Sequence, residues 1–164
     1  MSKLRNMRVI EIPPFRAVSS GEGTLDEIFG DGRFDEWVSR HRELILPSLY
    51  EPNNFLWHEE NDIDRSVLIY PVKDGVTGED TAPYSLIQFR GGMYLVATAD
   101  ELDVADINET VAGMFSWIDE SDVFVRGDYP VSGMCNMPAG GSGMDRRMGI
   151  AQQQIFLPLE YRNE

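Results

Sequence analysis

The chain has 164 residues, with 28 acidic and 14 basic side chains and a formal net charge of −14. A surface this acidic repels phosphates and anionic headgroups, which excludes direct nucleic-acid binding and adhesion to anionic membranes. A neutral or cationic small molecule, or a basic surface on another protein, stays open.

Hydrophobic residues at 42% and charged residues at 26% are globular proportions, and the length suffices for one sizeable core. No apolar run approaches the roughly 20 residues needed to cross a bilayer. The opening MSKLRNMRVIEI alternates like a strand and has no apolar leader segment. With one cysteine, Cys135, no disulfide forms within the chain, and a reducing cytoplasm is the expected location.

Residues 8–18, RVIEIPPFRAV, read as a strand interrupted at Pro13-Pro14, because proline cannot donate to a ladder. SSGEGT (19–24) reads as a turn-like linker. In FDEWVSRHRELIL (34–46), Phe34, Trp37, Val38, His41, Leu44 and Ile45 recur at helical spacing, predicting an amphipathic helix that Pro47 stops. NFLWHE (54–59) and SVLIYPV (66–72) are predicted strands, and KDGVTGEDTAP (73–83) a surface loop.

The order then begins again. SLIQFRGGMYLVATA (85–99) is a long strand interrupted at Gly91-Gly92. DVADINETVAGMFSWIDES (103–121) is a helix with Asp103 as N-cap and Val104, Ile107, Val111, Met114, Phe115 and Ile118 on one face. DVFVRGDYPVSGMCN (122–136) is a predicted strand, PAGGSGM (138–144) a turn, and QQQIFLPLEY (152–161) the closing strand.

Both halves therefore read strand, helix, strand, strand, with the first strand interrupted at the same place. The expected fold class is α+β: duplicated strand-helix-strand-strand (SHS2) units in one domain over 1–164, with pseudo-repeats at about 6–73 and 84–161. An antiparallel sheet, two long helices and a central groove at the seam complete the expectation.

Side chains that carry catalysis are scarce. His41 and His58 are the only histidines and neither has metal-ligand spacing, so no metal, no cofactor and no catalytic residue is assigned. His41, on the apolar stripe of the first helix, reads as a structural histidine. Gly140-Gly141-Ser142-Gly143 lacks the Lys-Ser/Thr pair of a phosphate loop, and HEENDID (58–64) lacks the glycine and spacing of a calcium loop. A hairpin loop and a solvated acidic loop are the respective readings. Cys135 reads as a small buried hydrophobe.

The aromatics carry more. Phe34 and Trp37 belong to the helical stripe and read as core. Trp117 falls two residues past Phe115, turned off the main stripe of its helix. On the closing strand, Ile155, Leu157 and Leu159 share one face, and Gln154 and Phe156 share the other. Trp57, Tyr94, Trp117, Gln154 and Phe156 are the candidate ligand-binding residues: the aromatics stack, and Gln154 orients a small molecule by hydrogen bonding.

IPPFRAV near the start, FRGGMYLVAT after the midpoint, FSWI in the second helix and QIFLPL at the end resemble the GyrI-like family. This is the effector-binding domain also found in AraC- and MerR-type multidrug-responsive regulators, and the resemblance spans about residues 6–161. It implies a hydrophobic groove between two units that receives lipophilic, often cationic, compounds. It also implies a stand-alone sensor or sequestering protein linked to transcriptional regulation or drug response. Two alternatives come with it: an inhibitory protein that contacts a basic partner such as DNA gyrase, or a hydrolase of strained electrophilic lipophiles. Many members place a glutamate where Gln154 stands. An amide offers hydrogen bonds but no charge and no base, which favours a neutral pocket and binding without turnover. Glu11 is the nearest replacement carboxylate, and its strand position reads as solvent-facing.

Overall fold

The computed structural model describes residues 4–47, 54–59, 62–128, 134–136, 147–149 and 151–163. In chain order the elements are β1 (Arg5–Ile12), β2 (Phe15–Ser19), α1 (Leu25–Ile28), α2 (Phe34–Arg40), β3 (Phe55–Glu59), β4 (Asp62–Pro71), β5 (Ser85–Phe89), β6 (Gly92–Asp100), α3 (Val104–Asp119), β7 (Phe124–Arg126), β8 (Met134–Asn136) and β9 (Gln152–Tyr161). The class is α+β with antiparallel strand pairing. No helix among the described residues is long and apolar enough to cross a membrane.

The chain divides into two compact units, one of Pro13–Gly91 and one of Met1–Ile12 with Gly92–Glu164. Both interruptions foreseen in the sequence fall at these borders. Pro13-Pro14 separates β1 from β2, which pair with different strands. At the step from β5 to β6, Gly91 at φ 72° and Gly92, the first residue of β6, at φ 142° adopt a conformation that a Cβ would strain.

In the unit of residues 13–91 the strand order is β3-β4-β2-β5. Val18 opposes Tyr70 and Leu86, and Leu56 opposes Leu68, so these side chains share one face. Buried Phe34 of α2 packs there, edge-on to Tyr84 at 4.8 Å and tilted to Tyr70 at 6.2 Å. The other face carries Phe15, Phe55 and Phe89, with Phe15 stacked on Phe89 at 4.8 Å and on Phe55 at 6.1 Å.

The helix predicted to run to Ile45 ends at Arg40. Beyond it a tight turn, with Leu44 N–H donating to His41 O and Ile45 N–H to Arg42 O, brings the chain to the end of β4: Leu46 N–H donates to Pro71 O, Lys73 N–H donates to Leu44 O, and Ile45 bridges Val72. Burial of Ile45 favours this over another helical turn. The expectation of two long helices is therefore corrected: α2 has 7 residues, and α3, with 16, is the one long helix described. Directly after the turn-like stretch 19–24 comes α1, for which no element was expected; it is fixed by a capping box in which Thr24 accepts from Glu27 N–H and the Glu27 carboxylate accepts from Thr24 N–H. The acidic stretch 58–64 is strand rather than loop at its described end, since β4 begins at Asp62.

In the other unit β1, β6, β9 and β8 are adjacent in that order, and β7 also pairs with β9. α3 starts as foreseen, with Asp103 Oδ1 accepting from the N–H groups of Ala105 and Asp106 at 2.9 and 3.2 Å. It covers Leu95, Ala97, Ala99, Ile155, Leu157 and Leu159 with Met114 and Ile118, a buried hydrophobic cluster. Val104, placed on the apolar stripe from sequence, is 70% exposed.

The single strand expected over 122–136 is two strands. β7 opposes Leu159 to Tyr161, and β8 opposes Gln154 to Phe156. Gly127 leaves the ladder after donating to Pro158 O at 2.8 Å. The turn expected over 138–144, with Gly140–Gly143, lies outside the described residues.

Candidate functional site

Strand parity divides β6, β9 and β8 into two faces. The odd positions of β6 and β9 meet α3. The even positions put Tyr94, Val96 and Thr98 beside Gln154, Phe156 and Asn136 on the opposite face. All six are buried, between 0% and 7% exposed. Three of the five residues singled out from sequence thus share one surface. Tyr94 meets Phe156 edge-on, with ring centroids 6.3 Å apart and planes at 81°. Such T-shaped pairs hold both rings in a fixed relative orientation.

The polar residues form a row across this apolar face. Gln154 stands in register with Thr98 on one side and Asn136 on the other. The Thr98 hydroxyl accepts from Asn6 Nδ2 at 3.5 Å. The Gln154 Oε1 and Asn136 Oδ1 atoms are buried without a hydrogen-bond partner among the described residues. A buried acceptor left unsatisfied costs about 1–3 kcal/mol, so native cores keep few of them. Asn136 had no signal in the sequence, because the break after Gly127 hides its register with β9.

The remaining candidates, Trp117 and Trp57, stand on other elements. Trp117 packs beside the α3 core cluster, on the opposite side of the sheet from Gln154, and stacks on Phe124 at 5.9 Å. It lines a cleft of about 610 Å³ with Leu4, Ala112, Gly113, Glu109 and Glu120. Trp57 is a half-buried residue of β3 opposite Val67, in the unit of residues 13–91. Glu11 is exposed and pairs with Met93, so its parity puts it on the α3 side of β1.

Among the described residues, acid–base groups are not gathered on the Gln154 face. Cys135 opposes Ile155 on the other face, where burial pushes its thiol above the ordinary value. His41 stacks on Trp37 at 4.4 Å with Nδ1 2.8 Å from Trp37 O, the structural role read from sequence. His58 Nδ1 lies 2.8 Å from Ser66 Oγ in the other unit. Among the described residues no three His, Cys, Asp or Glu side chains are grouped to hold a metal ion. The face offers aromatic surface and amide acceptors, which is the chemistry of stacking and hydrogen bonding.

No family model and no curated protein matches the sequence. Solved structures do match its fold along nearly the whole chain. The C-terminal domain of EcmrR superposes with a TM-score of 0.61 at 11% identity, over 96% of this chain and 99% of that one. A hydrolase from Listeria innocua gives 0.63 at 13%, over 96% and 93%. SAV2435 bound to tetraphenylphosphonium gives 0.56 at 12%, over 94% of both chains. At these identities the likeness is one of fold.

Proposed function

We propose that the chain is an effector-binding domain of the kind associated with transcription regulators, and that it takes a lipophilic aromatic molecule on the face of Tyr94, Gln154 and Phe156. The observation that carries this is the buried amide of Gln154 beside an edge-to-face aromatic pair: apolar walls with a few inward polar groups are the usual make-up of a small-molecule site. The fold shared with the C-terminal domain of EcmrR and with SAV2435, which was solved with a lipophilic cation, supports the same reading. Residues 13–91 run through one strand, two short helices and three strands, and residues 92–164 through one strand, one helix and three strands; this similar order supports an origin by duplication. An amide at position 154 cannot act as a general base, so the function is capture and not turnover.

Calorimetric titration tests this with a panel of tetraphenylphosphonium, planar aromatic amides and neutral polycyclic compounds. Saturable binding of at least one member, weakened by Phe156→Ala, is expected. Absence of binding by every member up to millimolar concentration overturns the proposal.

A further inference from the structure

The Gln154 face holds two orphaned acceptors, and they are neighbours. Asn136 and Gln154 are directly opposed on β8 and β9, so their side chains rise from one face with Cβ atoms about 4.5–5.5 Å apart. Asn136 is 2% exposed and Gln154 7%. One unsatisfied buried amide oxygen is uncommon, and a cross-strand pair of them doubles the cost without any gain in packing. Two acceptors that receive no hydrogen bond among the described residues are complementary to a donor supplied by a ligand.

We infer that Asn136 and Gln154 form a two-oxygen clamp selective for a hydrogen-bond-donating ligand, a flat aromatic compound carrying an N–H₂, amide N–H or hydroxyl group. This rests on the small-molecule reading above and names its ligand class. The clamp is neutral. From Tyr94 to Thr98 and from Gln154 to Pro158 no even position carries a carboxylate. Asp100, next along β6, is engaged by Leu102 N–H at 2.9 Å, and Glu160, next along β9, is exposed. A phosphonium or quaternary ammonium ion has no N–H or O–H, so it leaves both oxygens unsatisfied and finds no counter-charge at these positions of β6 and β9. A site built to bond an N–H rejects an analogue that lacks it far more strongly than an apolar site rejects a missing methyl. Thr98, on the other flank of Gln154, is held by Asn6 and keeps the row polar out to the exposed end of β1.

The test uses the intact chain and a matched neutral pair: 2-naphthamide, with two N–H donors, and its N,N-dimethyl derivative, with none. Tetraphenylphosphonium serves as a donor-free cation. Calorimetry is expected to show the primary amide binding roughly tenfold or more tighter than either donor-free probe. Asn136→Leu and Gln154→Leu should each bring the two naphthamides within about threefold of one another. The wild-type comparison stands even if a variant folds poorly, and the melting curve of each variant identifies that case. Equal binding of donor and donor-free probes overturns the clamp and leaves the small-molecule reading intact. Discrimination that survives both substitutions also overturns it. No binding by any probe overturns the reading on which the clamp rests.

Discussion

Gly127 and Pro158 are joined backbone to backbone: the Gly127 N–H donates to Pro158 O at 2.8 Å, and a Cβ built on Gly127 would lie 3.0 Å from the Pro158 carbonyl carbon and 3.1 Å from Leu159 N. Both of those atoms are main chain, so neither can rotate away. The glycine is required by close approach, where β7 leaves the β9 ladder.

Gly127→Ala is therefore expected to destabilise the fold by about 1–3 kcal/mol, the range for forcing an extra carbon into a packed site. Gly78→Ala is the control, because nothing lies within 4 Å of its Cβ position and its φ is not positive. Denaturant midpoints of the two variants measure the contrast. Equal midpoints would show that β9 moves aside at no cost.

Gln154→Leu should raise the stability of the ligand-free protein by about 1 kcal/mol, since it replaces an unsatisfied buried acceptor with an apolar chain of similar size. The same change is expected to weaken ligand binding, the usual trade where a site holds strain for function. Urea unfolding reads the first effect. A loss of stability would mean that the Gln154 oxygen is satisfied in solution.

Burial holds the Cys135 thiol above its ordinary value, so the native state keeps that proton more tightly than the unfolded chain does. The associated stability is fully present below about pH 8.5, the unfolded thiol value, and is lost as pH rises through the higher folded value. Cys135→Ala should flatten this alkaline decline. Tyr70, also raised by burial, contributes a second decline that begins near pH 10. An aromatic disulfide reagent should modify Cys135 slowly at pH 8 in the native state and rapidly in denaturant.

The exposed carboxylates act in the opposite direction. Backbone N–H groups of Thr24, Gly32 and Thr77 lower the values of Glu27, Glu36 and Asp80, and the Arg126 guanidinium lowers that of Asp119. Their contributions are present above the ordinary carboxylate range and are lost as pH falls through the depressed folded values. Thermal midpoints between pH 5 and pH 3 should fall steadily. Asp119→Asn should remove part of the slope and loosen Arg126, which also lies over the Phe115 ring at 4.3 Å.

Phe34→Ala removes a side chain that is 1% exposed and meets Trp37, Tyr70 and Tyr84. A loss of about 3–5 kcal/mol is expected, enough to unfold a marginal unit. Hydrogen exchange should show the loss concentrated in residues 13–91, and uniform loss of protection would show that the two units unfold as one.

Local chemistry was legible in the sequence. Paired prolines and glycines marked where strands break, Asp103 marked the start of α3, and period-2 alternation put Gln154 and Phe156 on one face. Even the missed α1 had its signal, the Thr24–Glu27 capping box. Each of these depends on a few consecutive residues. The early end of α2 had no such signal, because the partners of Leu44, Ile45 and Leu46 are Pro71, Val72 and Lys73, roughly 27 residues away.

The candidate site divides along the same line. Sequence alone determined which side chains of β6 and β9 share a face, since strand parity is a property of one chain segment. Only the tertiary structure decided that Asn136 stands opposite Gln154, that both oxygens are buried without donors, and that Trp117 lies across the sheet from them. Register between strands is set by the loops that join them and by packing on α3. The excursion after Gly127 shifts that register by several residues, a quantity that no local pattern encodes.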